Sequence, residues 1–199
     1  MGKAKPANRF YRYAKISEYM FRRVLWGFAC DLSVTEVARN TKLSTNSVSA
    51  IYQRLRAHYV RIGVFNSFYD NGDAIGVSET SDAYELALLE FHLKRISQMR
   101  GIPHSQNSSD HHFCESCWRF QLIPFFEGRS ADAAHNMIFN ELLTYLKVGG
   151  PVGVKAADLQ AVRRCQLEFL NRRSAWLERS SPEFKSEDSR ALLRDIRET

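Results

Sequence analysis

Residues 110–117, DHHFCESC, set Cys114 and Cys117 at metal-ligand spacing with His111 and His112 beside them. A structural zinc site draws four ligands, usually from two separated pairs. No second pair follows here. The set to test is His112, Cys114 and Cys117 with a single distant residue, Cys165 or His135, and the expectation is that no metal or other cofactor is bound. A thioredoxin-type redox site would need a βαβ context that the flanking residues do not offer. Asp70, Asp73, Glu79 and Asp82 supply carboxylates of the kind used in two-metal phosphoryl transfer. The runs NGD and SETSD that hold them read more simply as turn and helix-cap chemistry. There is no P-loop, no GxGxxG and no HExxH, and no Cys/His/Asn grouping for nucleophilic catalysis. The expectation therefore leans away from an enzyme.

The chemistry of reading nucleic acid is better represented. Thr45, Asn46, Ser47, Ser49, Gln53, Arg54 and Arg56 lie on one stretch after Ser44. Short hydroxyl and amide side chains can approach base edges, and guanidiniums can reach phosphates or guanine. Charge supports the same segment. The chain carries 28 Lys and Arg against 22 Asp and Glu, a net +6. Residues 1–63 hold 12 basic and 3 acidic residues, and the remainder holds 16 and 19, so the first third carries +9 and the rest −3. A polyanionic partner is expected for the N-terminal segment. Upstream, Lys3, Lys5, Arg9, Arg12 and Lys15 are interleaved with Phe10, Tyr11 and Tyr13. Such an arm can follow phosphates or enter a minor groove, or simply aid solubility.

These residues need elements to hold them. Met20, Phe21, Val24, Leu25, Phe28 and Ala29 recur at the spacing of an amphipathic helix over 17–31. Ser33 with Glu36 three residues on is a capping box for a short second helix with Val34, Val37 and Ala38 inward. Residues 40–42 make the connection. Ser44 is the N-cap of a third helix that buries Val48, Ile51, Tyr52 and Leu55. This is the helix-turn-helix arrangement, with Ala38 as the small residue at the close contact. The same three helices could instead serve as a scaffold for protein contacts.

The segment KISEYMFRRVLWGFACDLSVTEVARNTKLSTNSVSAIYQRLR resembles the N-terminal helix-turn-helix region of a class of small bacterial insertion-sequence transposases of the DDE type. That class usually has Gly in the turn where this chain has Lys42, and Lys42 joins Ser44 among the residues expected near DNA. HLKRISQMRGIP (92–103) resembles the class's late basic helix. HHFCESCWRFQ (111–121) resembles its terminal segment, with His112, Glu115, Trp118, Arg119 and Phe120 in register. The resemblance implies an RNase H-like catalytic domain between these segments, yet only 28 residues (64–91) separate them. One or two strands around 65–69 and 74–77 fit there, and a five-stranded sheet does not. The chain looks like a transposase relative that kept its DNA-binding end and lost its catalytic core.

Further on, Ser130 or Asp132 opens a helix to Lys147 with Met137, Ile138, Leu142, Leu143 and Leu146 inward, and VGGPVG breaks it. A long helix over 156–178 carries an apolar stripe including Cys165, with Arg163, Arg164, Arg172, Arg173 and Arg179 opposite. That stripe suits a packed helix, with a homodimer seam as an alternative. No apolar run approaches the roughly 18 residues of a membrane span, and four cysteines suit a reducing cytoplasm.

The expected fold is mainly α, with an N-terminal helix-turn-helix, a helical C-terminal region and room for a short β-hairpin. Four segments are expected: a basic arm (1–15), the DNA-binding domain (16–63), a helical transposase-remnant region (64–147) and a C-terminal extension (148–199). The expected function is sequence-specific binding of double-stranded DNA in a bacterial, nucleoid-associated setting, as a regulator or a competitor for element ends. The alternatives are a divergent transposase subunit that works with a catalytic partner, and a zinc-stabilised interaction module.

Overall fold

The computed structural model describes residues 8–12, 14–65, 82–98, 106–126 and 128–153, and the single positions Arg164, Cys165, Glu168, Asn171 and Ala175. The protein is mainly α, with α1 (Glu18–Ala29), α2 (Val34–Thr41), α3 (Thr45–Arg61), α4 (Asp82–Gln98), α5 (Gln106–Phe126) and α6 (Ala131–Val148). Among the described residues there is no strand, only an isolated parallel bridge between Tyr11 and Val152. The expected hairpin lies outside the described residues apart from Phe65, as do Lys3, Lys5, Asp70, Asp73 and Glu79. The 156–178 helix lies outside them apart from the single positions above.

Local chemistry starts each helix of the N-terminal trio. The Ser17 hydroxyl accepts from the Met20 N–H, and Ser44 accepts from Ser47 N–H. Between them Ser33 and Glu36 form the full capping box, with the Glu36 carboxylate taking the Ser33 N–H at 2.9 Å. The helix ends are less ordinary. Asp31 sits at φ +56° just past α1, with its N–H on the Phe28 carbonyl and the Leu32 N–H on Gly27. That is a Schellman closure with an aspartate at the position glycine usually fills. Lys42, where the resemblance leads one to expect glycine, adopts the same left-handed backbone at φ +58°, ψ +26°. A lysine there costs about 1 kcal/mol, but the turn keeps its geometry.

Gly27 decides how closely α1 and α2 approach. A Cβ on it would lie 2.4 Å from Val37 Cγ2 and 3.2 Å from the Tyr52 hydroxyl. Ala38, expected as the small residue of the helix-turn-helix contact, is buried, and Gly27 is a second close contact, between α1 and α2, that has no room for a side chain.

The core is one continuous cluster. Phe21, Val24, Leu25 and Phe28 of α1 and Val48, Ile51, Tyr52, Leu55 and Tyr59 of α3 join Cys114, Trp118 and Leu122 of α5 and Ile138, Leu142, Leu143 and Leu146 of α6. Aromatic contacts bind it together, with Phe28 edge-on to Tyr52 at 5.0 Å and Phe65 5.0 Å from both Tyr59 and Trp118. The Tyr59 hydroxyl donates to the Leu142 carbonyl at 2.9 Å, tying α3 to α6. Helix α5 is the central element, buried without interruption from Cys114 to Arg119. Of the two expected starts, Ser130 and Asp132, it is Ser130 that caps α6.

The basic arm is not free along its whole length. Phe10 and Tyr11 are buried in the core. Val152 donates its N–H to Phe10 and accepts from the Arg12 N–H, and Asn8 Oδ1 takes the N–H groups of Phe10 and Tyr11. Apolar burial outweighs the segment's charge here, because two aromatic rings have a site beside α1 and the turn after α6.

Gly27→Ala is expected to destabilise the fold by about 1–3 kcal/mol through overpacking against Val37. Urea unfolding of the two proteins measures this, and an unchanged midpoint would mean that α1 and α2 do not approach this closely.

Candidate nucleic-acid interface

The outward face of α3 holds most of the side chains singled out in the sequence. Thr45, Asn46, Ser47, Gln53 and Arg54 are exposed and Ser49 is half-buried, while Val48, Ile51, Tyr52 and Leu55 turn inward. Across its 17 residues α3 contains no Asp or Glu. Ser44 spends its hydroxyl on the cap and shares a 2.8 Å hydrogen bond with the Ser47 hydroxyl, so these two are held in place. Lys42 is exposed at the turn.

The cations around this face differ in how they are held. Arg54 donates to the Tyr11 hydroxyl and stacks over that ring at 5.7 Å, which fixes it against the N-terminal segment. Arg9 pairs with Glu18 at 3.0 Å and is largely solvent-exposed, so the pair contributes little energy. Arg12 and Lys15 are exposed on the same segment.

Arg56 departs from expectation. Eleven residues are three helical turns, so Arg56 falls directly below Thr45 on the polar face. It is nevertheless buried, because α5 crosses the C-terminal half of α3 and covers that side. Its Nε donates to Glu115 Oε2 at 2.6 Å, and its guanidinium lies over the rings of Phe28 and Tyr52 at 5.3 and 5.6 Å. Arg56 is a core residue and is withdrawn from the set expected to meet DNA.

Arg56 belongs to a buried ionic cluster that positions the whole face. Glu115 on α5 is fully buried, and Arg56, Arg95 and Arg119 converge on its carboxylate at 2.6, 3.1 and 2.8 Å. Arg95 of α4 also makes a bidentate pair with Asp31, at 2.6 and 2.7 Å, and donates to the Ser116 hydroxyl. His92 Nδ1 meets the same hydroxyl at 2.9 Å. Arg119 donates to the carbonyls of Ala29 and of Phe28, which also takes the Asp31 N–H, at the C-terminal end of α1. A guanidinium there supplies donors to the last carbonyls of the helix and complements its dipole. The left-handed Asp31 is now explained, since the turn it forms carries the carboxylate that Arg95 grips.

Electrostatics follow from this packing. Burial by itself would raise the Glu115 pKa, but the three guanidiniums outweigh it and hold the carboxyl well below its usual range. Asp31 is lowered in the same way, with burial opposed by Arg119 and Arg95. His112, one turn before Glu115, is pushed down to about 4 by burial and then by Arg56, so it is neutral at pH 7. His58 is likewise at about 4, through burial and Arg61.

Cys114 and Cys117 are buried thiols one turn apart on α5, outside any disulfide, and Cys165 is a half-buried thiol packed on the core. Among the described residues no three His, Cys, Asp or Glu side chains come together to hold a metal ion. Sequence reasoning did not single out Asp31, Arg95 or Gly27. For Glu115 and Arg119 a signal was present: an i, i+4 pair of opposite charges inside an otherwise apolar stretch. Nothing local could identify their partners.

Two outcomes follow from the cluster. Glu115→Gln strands three buried guanidiniums beside a single remaining carboxylate, and a loss of about 3–5 kcal/mol is expected in chemical denaturation. A loss below about 1 kcal/mol, the range of an exposed pair, would show that the carboxylate is not buried among them. The second outcome concerns pH. His58 and His112 are neutral in the fold down to about 4 but protonate near 6.5 when unfolded. Stability therefore falls as pH drops below 6.5, before the carboxylates begin to protonate. His112→Gln should remove one proton from this dependence, close to 1.4 kcal/mol per pH unit between about 6 and 4.5. An unchanged slope in denaturation series across that range would refute the assignment.

Comparison with protein-family models, with curated proteins and with solved structures finds no match for this chain.

Proposed function

We propose that this protein is a sequence-specific reader of double-stranded DNA, with the first turns of α3 as the recognition helix. The observation that carries this reading is the composition of one surface. Thr45, Asn46, Ser47 and Gln53 stand exposed on a helix without a carboxylate, behind a left-handed turn that carries Lys42, with Arg54 further along the helix against Tyr11 and the exposed Arg12 and Lys15 on the segment of that tyrosine. Amides and hydroxyls at the start of a helix suit base edges in a major groove, and the surrounding cations suit phosphates. The +9 carried by residues 1–63 favours a polyanion over a protein partner for this surface.

The resemblance of 15–56 to the DNA-binding end of insertion-sequence transposases supports a narrower reading. A protein with that end and without room for the catalytic sheet would occupy element ends or operator sites, as a regulator or a competitor, and perform no strand transfer. Such a protein works at the nucleoid. Among the described residues no helix is long and apolar enough to cross a membrane.

The test combines selection with substitution. Fragments of genomic DNA retained at about 150 mM salt, where phosphate-only binding is weak, should be enriched in a defined motif. Asn46→Ala and Gln53→Ala should each cost about 1–3 kcal/mol on that motif and little on random DNA. Lys15→Ala should weaken both alike and reduce the slope of log K against log salt by about 1. Equal losses on motif and random DNA for all three variants would sink the groove assignment, and no enrichment at all would return α3 to a scaffold role.

A further inference from the structure

Between the outer sides of α1 and α2 lies a groove of about 680 Å³, a volume within the range of small-molecule sites. Tyr19, Arg22, Arg23 and Trp26 of α1 line one side of it and Val37 and Asn40 of α2 the other, with Leu32 in the turn between the helices. None of the side chains offered to DNA lines it. Steps of three and four residues set Tyr19, Arg22, Arg23 and Trp26 on one face of α1. The two rings are two turns apart, about 10 Å along the helix, with both arginines between them. Because Gly27 has no side chain, Val37 comes up against α1 and gives the groove an apolar floor. Tyr19 is 69% exposed, and Trp26, although it meets Phe139 at 5.4 Å, stays half-buried. The core therefore leaves part of both aromatic surfaces uncovered.

The charges around the groove set the chemistry of its occupant. Arg23 donates through Nη2 to the Asn40 carbonyl at 2.5 Å and stacks over Tyr19 at 5.9 Å, so it reaches across from α1 to α2. A guanidinium has five N–H donors, and this bond uses one of them. Arg22 is exposed, with its guanidinium 5.9 Å from the Phe139 ring. Glu18, the carboxylate among the lining residues, is already paired with Arg9 at 3.0 Å. The Thr41 hydroxyl, also in the lining, is spent on the Val37 carbonyl at 2.6 Å. Two guanidiniums beside an apolar, aromatic surface complement a flat ring that carries a carboxylate, the anion a guanidinium can hold by two parallel bonds. Sugar hydroxyls would lose water against Val37, Leu32 and Trp26 without gaining a partner, which disfavours a nucleotide. An ammonium beside the two arginines would be repelled, which disfavours a free amino acid. We infer that the α1–α2 groove binds a small aromatic carboxylate, its ring over Val37, Leu32 and Trp26 and its carboxylate on Arg22 and Arg23. This site does not depend on the DNA reading.

Isothermal titration calorimetry of the full chain without DNA tests the inference, with indole-3-acetate as the probe. Binding at one site per chain with Kd below about 1 mM is expected for a ligand of this size. Indole-3-acetamide keeps the shape without the charge, and inorganic phosphate keeps a charge without the ring. Each should bind at least about tenfold more weakly than the acid. Arg22→Gln should weaken indole-3-acetate by about tenfold, the loss of one charge-assisted contact, and Tyr19→Ala by roughly threefold. Both positions are exposed, so the thermal unfolding of the two variants should match that of the parent. No saturable heat up to about 5 mM probe, well above the expected Kd, overturns the inference. An amide that binds as well as the acid refutes the carboxylate. Phosphate binding as tightly as the acid reduces the site to a patch for any anion and refutes the ring. Unchanged affinity in both variants places the ligand elsewhere on the chain and overturns the groove assignment.

Discussion

The structure depends on one buried carboxylate. Glu115 lies at the centre of α5 with no exposed surface and three guanidiniums around it, each from a different turn of chain. Removing such ions from water costs several kcal/mol apiece, and their mutual attraction does little more than offset it. The cluster therefore adds little net stability over a well-packed apolar core. What it adds is exclusivity, because any arrangement that separates one member leaves a charge buried without its partner. Arg56 fixes α3, Arg95 fixes α4, and Arg119 fixes the end of α1 through the carbonyls of Phe28 and Ala29. Four helices are registered by one carboxyl group.

That registration reaches the proposed DNA-facing surface by a short path. Arg56 is on the same helix as Asn46 and Gln53, and its tether to Glu115 sets how far α3 is rotated against α5. At the other end of the trio, Gly27 lets α1 and α2 approach until Val37 fills the gap, and the left-handed Lys42 sets the turn into Ser44. The exposed half of α3 is thus presented by a rigid base. A recognition surface benefits from such a base, since side chains that meet bases must be held to within a fraction of an ångström. The Tyr11–Val152 bridge adds a brace from outside, with Arg54 resting on Tyr11.

The cluster carries three positive and two negative charges, so it leaves one unit of positive charge behind α3. It also accounts for a departure from the common rule at helix ends. Asp31 takes a left-handed conformation that glycine would enter without strain. The strain is small beside the bidentate pair that Arg95 makes with it, and a glycine there would leave Arg95 with only part of its partners.

Much of the fold was legible in the sequence, because its determinants are local. Ser17, Ser33 with Glu36, Ser44 and Ser130 cap the helices they precede, since a hydroxyl and the N–H it accepts lie within three residues of each other. The inward faces of α1, α3 and α6 followed from periodicity for the same reason. Tertiary structure decided which polar faces are also covered. Thr45 and Arg56 share one side of α3, and periodicity treats them alike, yet one meets solvent and the other meets Glu115, 59 residues away. Phe10 and Tyr11 read as part of a basic arm until the turn after α6 supplies Val152 as their neighbour. Spacing along one chain reports what a residue can do within a few turns of itself. Whether it is buried depends on which distant segment crosses it, and that is settled only when the helices pack.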